Sequence, residues 1–384
     1  MEWIKNFLQE REESGNLRKL HAISKRKNGY IYIGNKKYLD FSSNDYLGLS
    51  NHPEIKKASI EAIKQFGTSS SASRLLSGDL LIHHCLEEQT ADFKNKEAAL
   101  VFNSGYQANV SVINAIAEKQ DVVFCDKFAH ASIIDGIKIS SGKIYRFLHN
   151  DIEHLKMLLE KERNKFKKAL IITETVFSMD GDICPLKEIV ELKNKYNLII
   201  MVDEAHATGI FGKNGAGIVE KENLTEYIDI IMGTFSKAPG GFGAYIACSE
   251  EMKQYLINTC RGFIYSTSLP ASIISANIKA LQIIKKEPYR RKILLENAEY
   301  FRNIMKQKGF NIKGCTQIVP LIISDNKKAM EISKKLQKKG YWVFPIRHPT
   351  VPKGQERLRF SLNYYHNKTI LKKLCDDISK YIKI

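Results

Sequence analysis

Between Leu80 and about Gln282, short runs of branched apolar residues alternate with longer amphipathic stretches. Such runs are typical of strands buried on both faces, and the stretches between them favour helices. Alternation of this kind predicts an α/β fold with a doubly wound, mainly parallel central sheet. The last candidate strand follows Lys237 after a short loop, which predicts an antiparallel strand at the sheet edge. The candidate strands are Ala98–Asn103, Val122–Cys125, Ile144–Leu148, Ala169–Thr175, Leu198–Asp203, Ile228–Gly233 and Ala244–Cys248.

The flanking regions have different patterns. Residues 1–27 have apolar positions at helical spacing and predict a helical arm, and Tyr30–Phe41 predicts a β-hairpin that turns at Gly34-Asn35. A charged break near Lys285–Pro288 precedes mixed helices and strands, which predict a smaller C-terminal α+β domain. We therefore divide the sequence into an arm and hairpin (1–45), a large domain (46–285) and a small domain (286–384).

Composition narrows the class of protein. The content of 43% hydrophobic and 26% charged residues is ordinary for a globular protein, and the N-terminus lacks a basic-then-apolar signal. The seven cysteines have no regular spacing, so we expect a cytoplasmic enzyme without disulfides or a metal site. The net charge of +17 leaves open a non-catalytic protein that binds nucleic acid. The lysines are dispersed, however, which favours a solvated surface that attracts an acidic partner.

The chemistry centres on Lys237 in the segment Thr234-Phe235-Ser236-Lys237, which separates two apolar runs. A lysine in such a place loses hydration, and the neutral amine that results can form a Schiff base. The glycines that follow let the backbone turn tightly beside a ligand. A surface lysine in a hairpin loop would have the same local sequence, so this motif alone does not distinguish a Schiff-base lysine from a surface lysine.

Asp203 supplies the second half of the pattern. It ends the apolar run Leu198–Asp203, and open α/β sheets bind ligands at the carboxyl ends of their strands. A buried carboxylate there needs a cationic partner, and a protonated pyridine nitrogen is one. Pyridoxal 5′-phosphate (PLP) sites combine a Schiff-base lysine with an acid on the ring nitrogen. Asp203 and Lys237 together therefore predict a PLP enzyme.

Three further segments have chemistry that fits such a site. Ser104-Gly105-Tyr106 follows a strand and begins a helix, whose N-terminal amides suit a phosphate group, with Thr234 as a hydroxyl donor. His130 follows another strand, where an imidazole can stack on a pyridine ring. Arg357 and Arg359 alternate with apolar residues and are predicted to share one face of a half-exposed strand, where an arginine can bind a carboxylate.

Taken together, the motifs resemble the α-oxoamine synthase family of PLP enzymes, which has the aspartate-aminotransferase-like fold. The resemblance covers nearly the whole chain. Within the family, Pro345–Pro352 is most similar to the biotin-pathway member. The motifs are Asn44–Leu49, Ser104–Asn109, Val176–Asp182, Asp203–His206, Thr234–Lys237 and Tyr265–Pro270.

The resemblance implies a role for each matching position. Lys237 would carry the Schiff base, Asp203 would pair with the pyridine nitrogen and His130 would stack on the ring. Phosphate would be held near the start of the glycine-containing helix, with help from Ser266 or Thr267 of a partner subunit in a homodimer. The implied cofactor residues are Ser104, Gly105, Tyr106, His130, Ser178, Asp203, His206, Thr234, Lys237 and Thr267, and the implied substrate residues are Arg359, Asn44 and Arg18.

The implied reaction joins L-alanine to a pimeloyl thioester, carried by coenzyme A or an acyl carrier protein, and releases CO₂ and a free thiol. Lys237 would remove the Cα proton as general base. Two alternatives within the family remain, a glycine-using member such as a glycine C-acetyltransferase and a serine-using palmitoyltransferase. The alternative of another class is the nucleic-acid-binding protein that keeps the fold without its chemistry.

Overall fold

A computed structural model describes residues 1–382. Its strands are β1 Lys25–Lys27, β2 Tyr30–Ile33, β3 Lys36–Asp40, β4 Ala98–Phe102, β5 Val122–Asp126, β6 Lys143–Phe147, β7 Ala169–Glu174, β8 Leu198–Asp203, β9 Ile230–Thr234, β10 Ala244–Cys248, β11 Ile318–Ile322, β12 Tyr341–Trp342, β13 Pro345–Ile346 and β14 Arg357–Ser361. Its helices are α1 Glu2–Glu13, α2 Pro53–Phe66, α3 Leu81–Lys94, α4 Gly105–Ile116, α5 Ala131–Ile139, α6 Ile152–Glu162, α7 Leu186–Tyr196, α8 Ile218–Lys221, α9 Glu250–Thr259, α10 Arg261–Ile264, α11 Ala271–Lys286, α12 Tyr289–Gln307, α13 Asn326–Lys338 and α14 Lys368–Ser379.

The chain divides into two compact units. The large unit contains Leu47–Ser178 and Ile183–Arg291. The small unit contains Met1–Tyr46, Met179–Asp182 and the chain from Lys292 onward. The small unit thus combines three stretches that are distant in sequence, an arrangement that the pattern of apolar residues does not express.

The large unit is built on a seven-stranded sheet with the order β4-β10-β9-β8-β7-β5-β6. The pairs from β6 to β9 are parallel, which confirms the predicted α/β class. Every residue of β4, β5, β7, β9 and β10 is buried, because helices cover the sheet. The carboxyl ends of β8 and β9 bring the Asp203 and Lys237 segments to one edge of this core.

The position predicted for β10 needs a correction. This strand is antiparallel, as expected, but it lies inside the sheet and pairs with both β9 and β4. The edge position belongs to β4, whose residue Ala98 pairs with Cys248. The short loop after Lys237 indicates the direction of β10, but it contains no information about the strand on its far side.

The small unit contains two small sheets, β1-β2-β3-β12 and β11-β14-β13. The predicted hairpin is confirmed as β2 and β3, which pair antiparallel around Gly34 and Asn35. Residues 341–346 supply strands to both sheets, since β12 pairs with β3 whereas β13 pairs with β14. Among residues 1–382, no helix is long and apolar enough to cross a membrane.

The predicted helical arm over residues 1–27 is too long. Helix α1 ends at Glu13, because Gly15 takes a left-handed conformation with φ of 68°. The amide of Asn16 donates to the carbonyl of Arg11 at 2.7 Å, and the Gly15 amide donates to Glu12 at 3.0 Å. This pair of bonds is a Schellman motif, which stops a helix and satisfies its last carbonyls.

Candidate active site

Asp203 is the last residue of β8 and is 5% exposed. Its Oδ1 accepts a hydrogen bond from the Ala205 amide at 2.8 Å, and its Oδ2 accepts one from Asn109 Nδ2 at 2.9 Å. A buried carboxylate with two fixed donors is stabilised as an anion and keeps its orientation. Asn109, on the buried face of α4, was not identified from the sequence, although it lies within the Ser104–Asn109 motif.

Lys237 follows β9 by three residues, and its Nζ lies 2.8 Å from His206 Nε2. His206 comes three residues after Asp203, so the turn that follows β8 brings the imidazole to the amine. The charges of Asp203 and Lys237 both act on His130. The three segments therefore face a common space at the carboxyl edge of the sheet.

His130 caps the N-terminus of α5. Its Nδ1 accepts a hydrogen bond from the Ser132 amide at 3.2 Å and lies 2.8 Å from Ser132 Oγ. Desolvation lowers the pKa of His130, Asp203 opposes that shift and Lys237 adds to it. The imidazole keeps an exposed edge while its other side is fixed, and a neutral ring in that position can stack on a flat heterocycle.

The start of α4 has the features of an anion site. Ser104 is the N-cap, and its hydroxyl accepts from the Gln107 amide at 3.2 Å. Gly105 has no side chain, so its backbone can approach a ligand closely. A Cβ placed there would lie 2.9 Å from Met232 Cε, the end of a flexible side chain. Tyr106 is exposed and donates its hydroxyl proton to the Asp135 carboxylate. Amides at a helix start together with a close backbone approach fit a phosphate group.

Gln107 fixes the geometry of this helix start, a role that sequence reasoning missed. Its Oε1 accepts from the Asn103 amide at 2.9 Å, while its Nε2 donates to the Gly262 carbonyl and to Ser266 Oγ, both at 2.7 Å. The carbonyl of Thr267 accepts from Asn103 Nδ2 at 2.8 Å. Ser266 and Thr267 therefore lie beside the same chain's α4, and their contribution to a partner subunit stays a prediction.

Thr234 and Ser178 are placed at two other strand ends of the large unit. Thr234 ends β9, donates its hydroxyl proton to the Gly243 carbonyl at 2.8 Å and lies 2.7 Å from Ser236 Oγ. Ser236 is exposed and provides a second hydroxyl in the motif, which the sequence analysis did not single out. Ser178 is partly buried in the segment after β7. The cofactor roles of these hydroxyls stay predictions.

In the small unit, Arg359 and Asn44 meet through Tyr46. Arg359 Nη1 donates to Ser361 Oγ at 2.6 Å, and Nη2 donates to the Tyr46 hydroxyl at 3.4 Å. That hydroxyl in turn donates to Asn44 Oδ1 at 3.0 Å. Burial raises the pKa of Tyr46, and Arg359 opposes the shift, so the phenol remains protonated. Its hydroxyl links the two predicted substrate residues by hydrogen bonds.

The predicted half-exposed face of β14 is wrong at Arg357. This side chain is buried, and its Nη1 donates to Asp180 Oδ1 at 2.8 Å and to the Met179 carbonyl at 3.1 Å. The partner acid compensates the buried charge, which makes Arg357 a structural residue of the small unit. Arg359, on the same strand, stays partly exposed and available to a ligand.

Arg18 lies in a second part of the small unit, at a cavity of about 660 Å³. Segment 15–21, helix α13 and segment 344–350 form its walls. Arg347 lines the same cavity. Burial lowers the pKa of Arg347, and the charge of Arg18 lowers it further. Arg347 also donates to the Gly15 carbonyl, which ties the two walls to each other. The apolar lining residues are Leu17, Met330, Phe344, Pro345 and Ile346.

Known proteins agree with this geometry. The family described as aminotransferase class I and II matches residues 36–378. A Bacillus cereus (strain B4264) protein named "Putative 8-amino-7-oxononanoate synthase" is 44% identical over 374 residues, which are 97% of this chain and 94% of that relative.

Two solved structures share the fold. A serine palmitoyltransferase from S. paucimobilis, described with a bound PLP–myriocin adduct, has a TM-score of 0.91 and 30% identity, covering 98% of this chain and 96% of its own. An 8-amino-7-oxononanoate synthase from Francisella tularensis has a TM-score of 0.78 and 30% identity, covering 89% of this chain and 97% of its own.

The sheet, the strand-end lysine and acid, and these matches define a member of the class I and II aminotransferases with the aspartate-aminotransferase-like fold. Within that class, the chain belongs to the α-oxoamine synthase family of PLP-dependent acyltransferases. Both the fold class and the family resemblance that the sequence predicted are thereby confirmed.

Proposed function

We propose that this chain condenses L-alanine with a pimeloyl thioester, with loss of CO₂, to give 8-amino-7-oxononanoate for biotin biosynthesis. The observation that carries the choice of acyl group is the cavity of about 660 Å³ in the small unit. Its lining combines apolar side chains with the guanidinium groups of Arg18 and Arg347. A pimeloyl group has the matching form, an apolar chain that ends in a carboxylate.

The large unit supplies the cofactor residues in this proposal. Lys237 would carry PLP through its Nζ, Asp203 would stabilise the positive charge of the pyridine nitrogen, and His130 would stack on the ring. Ser104, Gly105, Tyr106 and Thr234 would hold the phosphate, and Ser178 and His206 the ring oxygen. When bound, PLP supplies an electron sink for the charge that develops at the amino-acid Cα.

The chain's own residues then bind the substrate and transfer protons. Arg359 would bind the alanine carboxylate, and Asn44 would lie near it through the Tyr46 hydroxyl. Lys237 Nζ would take the Cα proton, assisted by His206, whose Nε2 lies 2.8 Å away. We also propose that the protein is a cytoplasmic homodimer with a shared active site, to which Thr267 of the partner subunit adds a phosphate contact.

A serine palmitoyltransferase activity is the second candidate, since the S. paucimobilis enzyme has the higher TM-score of the two solved structures compared above. A palmitoyl chain ends in a methyl group, however, and would give the guanidinium groups of Arg18 and Arg347 in the cavity no anion from the substrate. That cost favours an acyl group with a distal carboxylate.

The test measures free-thiol release with a panel of acyl-CoA donors and with L-alanine, glycine and L-serine as acceptors. We expect L-alanine with pimeloyl-CoA to give the highest kcat/KM. Heptanoyl-CoA is the matched control, because it has the same chain length without the distal carboxylate. Equal kcat/KM for pimeloyl-CoA and heptanoyl-CoA would refute the role of the arginines, and faster turnover with glycine or serine would refute the choice of alanine.

The carrier of the acyl group is tested in the same assay. The net charge of +17 suits an acidic donor, and both coenzyme A phosphates and an acyl carrier protein fit that description. Pimeloyl-CoA and the pimeloyl carrier protein should be compared at rising salt concentration. A donor that binds through the basic surface loses kcat/KM as salt screens the attraction.

A further inference from the structure

Two carboxylates lie side by side at the carboxyl edge of the large unit's sheet. Strands β7 and β8 are parallel, and their register pairs Glu174 with Asp203. In parallel strands, residues in register project to the same face. Both side chains are buried, with 3% of Glu174 and 5% of Asp203 exposed. Ionising both of these neighbouring buried carboxyl groups would cost a large free energy, because the two negative charges repel each other.

The two acids have unequal hydrogen-bond partners. Asp203 accepts from the Ala205 amide and from Asn109 Nδ2, one donor for each oxygen. Glu174 Oε1, by contrast, is buried without a hydrogen-bond partner among the described residues. The acid with a donor on each oxygen is the better anion, so the proton belongs on Glu174.

We propose that Glu174 is a positioning residue of the PLP site: a neutral carboxylic acid that lies beside Asp203 and leaves Asp203 as the single anion of the pair. A single anion gives the pyridine nitrogen one defined anionic partner. This inference uses the PLP site of the proposed function and does not depend on which acyl group or amino acid is the substrate.

The charged groups around Glu174 agree with this assignment. Burial raises the pKa of Glu174 well above its ordinary value, and Asp203 raises it further. Lys237 and the His130 amide act in the opposite direction, and Asp126 adds a smaller upward contribution. Asp126 is itself held by the Phe128 amide at 2.7 Å and by His149 Nδ1 at 3.0 Å, so its charge is compensated locally.

A second buried glutamate of the large unit is the matched control. Glu204 follows Asp203 directly and is fully buried, but its Oε2 accepts from Lys94 Nζ at 2.7 Å and its Oε1 from the Val219 amide at 2.9 Å. It is the ionised member of a buried ion pair. Glu174→Gln and Glu204→Gln therefore make the same chemical change in opposite electrostatic settings.

The first experiment measures the thermal midpoint of the PLP-free protein between pH 5.5 and 8.5 for the wild type and both variants. A raised folded-state pKa stabilises the fold at pH values below the unfolded pKa, and this stabilisation is lost as pH rises toward the folded pKa. Glu174→Gln cannot ionise, so its midpoint should rise relative to wild type with increasing pH, by about 2–4 °C over the range. Glu204→Gln should melt below wild type at every pH.

A difference between Glu174→Gln and wild type that stays constant or falls with pH would overturn the proposal, because it would mean that Glu174 is ionised. The comparison of slopes excludes any constant effect of the amide on packing. PLP, alanine and thioester are absent from this measurement, so a failure of the proposed reaction would leave its result unaffected.

The second experiment titrates the visible absorbance of bound PLP between pH 6 and 9. A neutral Glu174 predicts that Glu174→Gln keeps the absorbance midpoint that the wild type shows in the same titration. A downward shift of about one pH unit in Glu174→Gln would show that a negative charge had been removed, and would reject the assignment.

Discussion

The candidate PLP site of the large unit and the arginine cavity of the small unit are built in different ways. At the PLP site, functional residues follow buried strands, and Asp203 and His206 each have a fixed partner. The arginine cavity is formed by α13 and by segments 15–21 and 344–350, and both Arg18 and Arg347 line it. The first site is balanced in charge, whereas the second has an excess of positive charge. Enzymes commonly place the residues of the chemical step on a rigid sheet and the residues that select the substrate on loops.

Of the substitutions that test this comparison, we expect one at Lys237 to cause the largest loss of activity. Lys237→Ala removes the amine that we propose as both the covalent attachment point of PLP and the base, so turnover should fall by about 10⁴-fold or more. The visible spectrum should lose its absorbance or change to that of non-covalently held PLP. Lys138→Ala, an exposed lysine of α5, is the control and should keep wild-type turnover. An unchanged spectrum in Lys237→Ala would mean that another amine holds the cofactor.

Asp203→Asn tests the charge balance of the same site, and we expect it to cause the second largest loss of activity. The amide keeps the shape but removes the anion that faces the pyridine nitrogen, and we expect kcat to fall by about 10²–10³-fold. Stopped-flow measurement of Cα-proton exchange from L-alanine would locate the loss in the proton-transfer step. Full activity in this variant would contradict the pairing of Asp203 with the ring nitrogen.

At the arginine cavity we expect a smaller effect that is specific to substrate. Arg18→Ala and Arg347→Ala should each raise the KM for pimeloyl-CoA by about 10–100-fold, since a hydrogen bond to a charged group contributes roughly 1.5–3 kcal/mol. The KM for heptanoyl-CoA should change little. Similar losses with both donors would indicate that the arginines only support the fold of the small unit.

The smallest effect is expected at Tyr46. Tyr46→Phe keeps the buried ring but removes the hydroxyl between Arg359 and Asn44. We expect the KM for L-alanine to rise by about 3–10-fold, which corresponds to roughly one neutral hydrogen bond. Steady-state kinetics with alanine as the varied substrate would measure it. Loss of thioester affinity without any change for alanine would place Tyr46 elsewhere in the mechanism.

The two regions also differ in how far the sequence predicts them. Asp203 and Lys237 follow continuous apolar runs, and such runs identify buried strands and their ends to within one or two residues. Arg357 was assigned to a half-exposed face because its ion-pair partner Asp180 is 177 residues away in the chain. Local alternation cannot reveal a partner at that distance.

Some pairs of residues come together only through strand register or through the packing of distant segments. Nothing in the separate segments around Glu174 and Asp203 shows that the two acids are paired across neighbouring strands. Likewise, Arg18 and Arg347 become neighbours only because segments 15–21 and 344–350 form the walls of one cavity. Motif similarity predicts which residues belong to the site, and those roles stay predictions, while the pairwise contacts of these residues required the three-dimensional structure.

The composition of the small unit has a consequence for synthesis on the ribosome. Strand β3 pairs with β12, and Ser42 bonds to a carbonyl about 300 residues further along the chain. The first 46 residues therefore emerge long before the strand that completes their sheet. Until translation nears its end, the nascent N-terminus has an exposed strand edge, and protection from aggregation during that interval must come from chaperones or from the charges of Lys36 and Lys37 beside it.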